Sequence, residues 1–233
     1  MIVIVGAPGG GTSYFTKFLR LNGFYAGRSL EEGKDKENHI GYLYRRKWHE
    51  SIVYANHFCN SILKQIGIGQ REYESLFTQG FMNVKKLYEN KVNAQTIEHF
   101  IEDNASELQR MYDDEFPNKD VPHGWKNPRN FIVLEFIRAA YPDAKILTVE
   151  RSINPKPSSQ GPEGKGFARN ASKEAYRDLI YGHEDDFRFQ FEDFMELDKV
   201  NELLEFVGLN TLTQEQLEQQ HKELEFNVKK IGK

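Results

Sequence analysis

An α/β fold, with a central and mostly parallel sheet flanked by helices, is the fold class the sequence predicts, and three observations carry it. The chain opens on a short β-branched run, Ile2–Val5, with the composition of a strand buried on both faces. A second such run, KILTVE at Lys145–Glu150, stands far down the chain. Around them lie segments whose apolar residues recur every three or four positions, and strands alternating with helices imply a parallel sheet covered on both faces. The 233 residues suffice for one sizeable core, so the expected organisation is a single domain with a helical insertion at about 44–116.

The elements follow in order. After the first strand comes a glycine-rich turn, Gly6–Gly11, and then a helix over Thr12–Asn22 with Phe15, Phe18 and Leu19 on one face. Gly23 stands where a C-cap belongs, and Phe24 and Tyr25 are expected to start a second strand. Arg28–Asn38 is polar and reads as a loop. From about Tyr44 to Phe116 strand character disappears. Three helices are expected there, in WHESIVYANHFCNSILKQI, REYESLFTQGFMNVKKLYEN and AQTIEHFIEDNASELQRMYDDEF.

The α/β pattern then resumes, with a short strand at Val121–Trp125, a helix at Arg129–Ala140 and the strand Lys145–Glu150. Pro142 and Asp143 separate the last two. INPKPSSQGPEGKG reads as a loop, Ala168–Tyr181 as a helix, and FRFQFED alternates like a strand. LDKVNELLEFVGL is an amphipathic helix ended by Gly208, and the tail from Thr213 reads as a polar helix.

Composition narrows the functions. A net charge of −4 argues against a broad nucleic-acid surface, so any anion site must be local. The single cysteine, Cys59, leaves no intrachain disulfide and suits a reducing, cytoplasmic compartment. The opening apolar run has no charged leader and reads as a strand, not a signal peptide. No apolar stretch approaches the roughly 20 residues that span a bilayer, so no membrane span is expected.

Strand, glycine-rich turn and helix together suggest a phosphate loop, yet the nucleotide-hydrolase pattern G-x-x-x-x-G-K-[ST] wants a lysine where Thr12 stands. Glycines let successive backbone N–H groups approach an anion, and the helix dipole adds positive potential. Thr12 and Ser13 add hydroxyl donors. The competing reading is a plain strand-to-helix turn whose glycines serve packing.

With GAPGGGTS, the runs GWKNPRNFIVLEFIRAAYPDAKILTVERSINP and FQFEDFMELDKVNELLEFVGL resemble the sulfotransferases that use 3′-phosphoadenosine 5′-phosphosulfate (PAPS). Some similarity is to the tyrosyl-protein and carbohydrate branch. Pro8, Gly11, Thr12 and Ser13 match the family's loop P-[KR]-S-G-T-[ST]; Trp125, Lys126 and Pro128 match its lysine-proline segment. Tyr141–Lys145 match "FPDAK", Arg151 ends the strand, and Glu192-Asp193-Phe194 with FVGL matches the "EDL…FLGL" ending.

The resemblance implies a sheet like that of the P-loop-containing nucleoside triphosphate hydrolases. It implies that Pro8, Gly9, Gly10, Gly11, Thr12, Ser13 and Tyr14 form the donor loop, and that Arg151 and Ser159 hold the 3′-phosphate. PAPS would be the donor and 3′-phosphoadenosine 5′-phosphate (PAP) the product, with no metal required. One departure matters: Gly9 stands where the family usually carries a lysine or arginine to steady the leaving oxygen. Such a donor is worth about 3 kcal/mol, and Lys126 is the natural substitute. For the base, Glu31 is the first candidate, beside Glu32, with histidines as rivals. His123 ranks first among these because it sits just before the Lys126 segment.

The helical insertion would form the acceptor-site lid, over a small-molecule, carbohydrate or peptide hydroxyl or amine. Oligomeric state and acceptor identity are not written in any motif. Two other readings stand beside this one. The first is a degenerate member that binds PAPS or PAP without transfer, motivated by Gly9. The second is a P-loop small-molecule kinase, which would need a lysine after Gly11 and a strand-end acid for magnesium, where only Glu150 offers itself.

Overall fold

Two β-branched runs sit side by side at the centre of a four-stranded, all-parallel sheet. The computed structural model describes residues 1–6, 11–28, 53–67, 92–127, 130–151, 182 and 184–224. Strands β1 (Ile2–Gly6), β2 (Gly124–Lys126), β3 (Lys145–Glu150) and β4 (Phe187–Gln190) lie in the order β2-β1-β3-β4. Every residue of β1 is buried, as befits a strand covered on both faces. Its register pairs Ile2 with Gly124 on one side and with Lys145 on the other.

Alternation along β1 feeds two cores. Ile2 and Ile4 pack with helix α1 (Thr12–Leu21), with α5 (Leu197–Val207) through Val200, Leu203 and Leu204, and with Leu217 of α6 (Gln214–Glu223). Val3 and Val5 pack on the other face against α2 (Cys59–Gln65), α3 (Ala94–Glu115) and α4 (Leu134–Ala140). A π-helix, Val53–Phe58, leads into α2. Helix α6 starts with a full capping box, Thr213 with Gln216. It docks on the end of α1 through a reciprocal amide pair: Asn22 Nδ2 donates to Gln220 Oε1 at 2.9 Å, and Gln220 Nε2 to Asn22 Oδ1 at 2.8 Å. Among the described residues no helix is long and apolar enough to cross a membrane.

The elements expected at Ile2–Val5, Thr12–Asn22, Lys145–Glu150, the segment ending at Gly208 and the polar tail are all present. Three differ. Phe24 and Tyr25 form no full strand; Tyr25 makes one parallel bridge, to His123. The strand expected at Val121–Trp125 lies instead at Gly124–Lys126, because pairing with β1 begins where Gly124 crosses Ile2. A Cβ at Gly124 would collide with the Ile2 carbonyl, so the approach itself demands glycine. The helix expected from Arg129 begins only at Leu134, after a 3₁₀ turn at Asn130–Ile132. Asn130 interrupts it by sending its Nδ2 to the Ile4 carbonyl at 3.1 Å.

FRFQFED is likewise split into β4 and a 3₁₀ turn, Phe191–Met195, whose three-residue period turns both Phe191 and Phe194 into the α1 core. The second helix expected in the insertion, the helix at 168–181, most of the polar loop 28–38 and the whole proline-rich loop 153–166 lie outside the described residues.

Candidate functional site

Of the predicted site residues, Gly11, Thr12, Ser13 and Tyr14 open α1, Lys126 ends β2 and Arg151 follows β3. Gly11 is the N-cap of α1, with φ 91°, and a Cβ there would overlap the Phe191 ring. Both facts call for glycine. No side chain caps this helix start, and its first turn holds no acid. The partial positive charge of the helix N-terminus is therefore not offset by a carboxylate in its own first turn.

Lys126 is the last residue of β2. Trp125 faces the insertion core, so the pleat turns Lys126 to the α1 face. Its side chain is only 2% exposed, and its Nζ stands 3.5 Å from Ser13 Oγ, at the outer limit of a hydrogen bond. An ammonium and a helix N-terminus are like-signed, and bringing them together favours an anion between them. Thr12 is buried beside Ser13, and its carbonyl accepts the Thr16 hydroxyl at 2.9 Å.

Arg151 directly follows β3, on the same face as Leu147 and Val149. Its guanidinium carbon lies 5.0 Å from the centroid of the Phe191 ring, a cation–π arrangement. Tyr14 meets the same ring edge-on, with centroids 5.7 Å apart. Burial pushes the Tyr14 phenol well above its ordinary range, so it stays neutral. The register sets Lys126 level with Leu147, so Arg151 lies two strands across and four residues further along, roughly 16 Å away at the backbone. Two cations thus bracket the start of α1.

Glu150 takes the other face of the sheet, away from α1. Gln190 Nε2 donates to its Oε2 at 3.1 Å, and Arg188 lies 3.7 Å away. Among the described residues no group of three or more His, Cys, Asp or Glu side chains is placed to hold a metal.

His123 does not join this group. An extended strand carries it roughly 10 Å back from Lys126, to the amino end of the sheet, where its carbonyl accepts the Ile2 N–H. Its Nδ1 donates to the Val121 carbonyl at 2.8 Å, so Nε2 accepts the Tyr112 hydroxyl, also at 2.8 Å. Burial pushes the imidazole pKa down. The ring thus ties β2 to α3, three residues along the strand from Lys126. Pro8, Gly9, Gly10, Glu31, Glu32 and Ser159 lie outside the described residues.

Phe191 was not among the expected site residues, although it underlies both Gly11 and Arg151. The available signal was its place as the aromatic immediately before Glu192-Asp193, where an alternating strand ends. Compared with protein-family models, with curated proteins and with solved structures, the chain matches none.

Proposed function

We propose that this protein is a sulfotransferase with a P-loop-like α/β sheet, moving a sulfuryl group from PAPS to an acceptor hydroxyl or amine. The observation that carries the reading is the buried Lys126 ammonium beside Ser13 at the start of α1. It supplies a cation where Gly9 leaves the loop without one. In the transfer the acceptor oxygen bonds to sulfur while the bond from sulfur to the 5′-phosphate oxygen breaks. The electron pair stays on that oxygen, and the first-turn amides of α1 with Lys126 stabilise the charge it gains. The acceptor proton passes to a base, for which Glu31 is the first candidate. Arg151, with Ser159, holds the 3′-phosphate, the guanidinium giving paired hydrogen bonds. This chemistry calls for no metal ion, and the cytoplasm suits it.

Thermal-shift measurements with PAP, ADP and ATP, each with and without magnesium, test the nucleotide class. PAP alone should stabilise the protein, and Lys126→Ala should weaken PAP binding at least tenfold, the scale of a charge-assisted hydrogen bond. Stabilisation only by ATP with magnesium would sink the reading in favour of a kinase. Gly9 motivates a second reading, a PAPS or PAP binder without transfer. PAP binding without labelled-sulfate transfer to phenols, sugars, alcohols or peptides would favour it.

A further inference from the structure

We propose that the start of the helical insertion, Val53–Gln65, sets the position of Lys126, with Tyr54 and Cys59 as positioning residues for the cation. This rests on the role given to Lys126 above. Strand β2 is three residues long and pairs with β1 on one edge. Among the described residues its other edge is held only at its start, where the Gly124 N–H donates to the Tyr25 carbonyl at 3.1 Å, so backbone pairing leaves its Lys126 end lightly held. Its side chains alternate. Trp125 and Asn127 face the insertion, and Lys126 between them faces α1.

Both neighbours are gripped from the insertion side. The Tyr54 ring stacks on Trp125 with centroids 3.8 Å apart and planes within 10°. The Trp125 indole N–H donates to Asn130 Oδ1 at 3.1 Å, and Asn130 in turn holds the Ile4 carbonyl of β1. Asn127 Nδ2 donates to Cys59 Sγ at 3.5 Å. Tyr54, Cys59, Trp125, Asn127 and Asn130 are each at most 1% exposed. Tyr54 belongs to the π-helix Val53–Phe58, an irregularity frequent where a helix must present a side chain off the ordinary period.

The consequence falls on Lys126. Its ammonium ends a four-carbon stem, and its 3.5 Å separation from Ser13 Oγ is already at the outer limit of a hydrogen bond. A small shift of the β2 backbone would carry the cation out of reach, and the stack on one side and the thiol contact on the other oppose that shift. The segment expected to help form the acceptor lid thus also determines where the leaving-group cation sits.

Two readouts test this, one of them independent of any nucleotide. The first is the ¹⁵N resonance of the Lys126 side-chain amine, assigned by its loss in Lys126→Ala. It should move in Tyr54→Leu and Cys59→Ala, and stay put in Tyr54→Phe, which keeps the stack. The second is affinity for PAP against adenosine 3′-phosphate, which lacks the 5′-phosphate. Tyr54→Leu should weaken PAP about tenfold, the worth of one charge-assisted contact, and leave adenosine 3′-phosphate unchanged. In a Lys126→Ala background the Tyr54→Leu change should add nothing to the PAP loss. If Tyr54→Leu does not fold, Cys59→Ala carries the same comparisons with a loss of about threefold. An unmoved amine resonance in both variants, or equal loss for both ligands, overturns the positioning role. If wild-type protein ignores PAP while the resonance still moves, the sulfotransferase reading fails and the positioning of Lys126 stands.

Discussion

The two faces of the sheet are built by different means. On the α1 face, Phe194 meets Tyr14, Phe15, Phe18, Phe189 and Phe191, all with centroids 4.9–5.7 Å apart. Area burial and edge-on rings hold that side together. On the insertion face, beside Phe58, Phe100, Phe116 and Phe136, four aromatic residues carry polar tips with named partners: Tyr54 to Tyr141, Tyr141 to the Leu108 carbonyl, Tyr112 to His123, Trp125 to Asn130. Buried Asn127 and Glu115 lie there too, the latter against Gly27. One face tolerates repacking of similar volume, while the other depends on hydrogen bonds that have no substitute once buried. Lys126 reaches the first face from a strand fixed by the second.

The largest expected effect lies on the α1 face. Phe194→Ala removes the ring at the centre of the cluster and should cost about 3–5 kcal/mol in urea unfolding, whereas Phe194→Leu should cost much less. Equal losses would show that this face also depends on specific ring geometry. Next comes Asn130→Ala, which strands the Trp125 indole N–H and the Ile4 carbonyl and should cost about 1–3 kcal/mol. A cost near zero would erase the distinction between the faces.

The smallest effect is a pH dependence. His123 has a folded pKa below its ordinary 6.5, so the unfolded chain binds its proton first as pH falls. Its contribution is whole above about pH 6.5 and declines as pH drops through 6.5 toward the folded value. His221, next to the α1 core, is pushed down by burial in the same direction. Chemical denaturation between pH 5 and 8 should therefore show stability rising with pH, with a shallower rise in His123→Gln. An unchanged slope in that variant would move the pH sensitivity off the insertion face.

What could be read in advance was local. Ile2–Val5, Lys145–Glu150, the α1 pattern and the helix before Gly208 each declare themselves within a dozen residues. The start of β2, the broken helix at Asn130 and the π-helix at Val53 depend on contacts with distant strands, which periodicity does not encode. The same division runs through the site. That Lys126 faces away from the insertion core follows from its alternation with Trp125; that it meets Ser13 needs β2 beside β1. His123 shows the complementary point, since residues three apart along a strand are far apart in space.

The order of strands also bears on how the chain reaches this state. β1 is central, but the residues it pairs with, Gly124–Lys126 and Lys145–Val149, leave the ribosome well over a hundred residues later. At ordinary synthesis rates that is on the order of ten seconds. Throughout that interval an apolar β-branched segment has neither of its partners and presents two bare edges. Until β2 and β3 arrive, those edges are open to pairing with other chains, a hazard of synthesis that the finished sheet no longer carries.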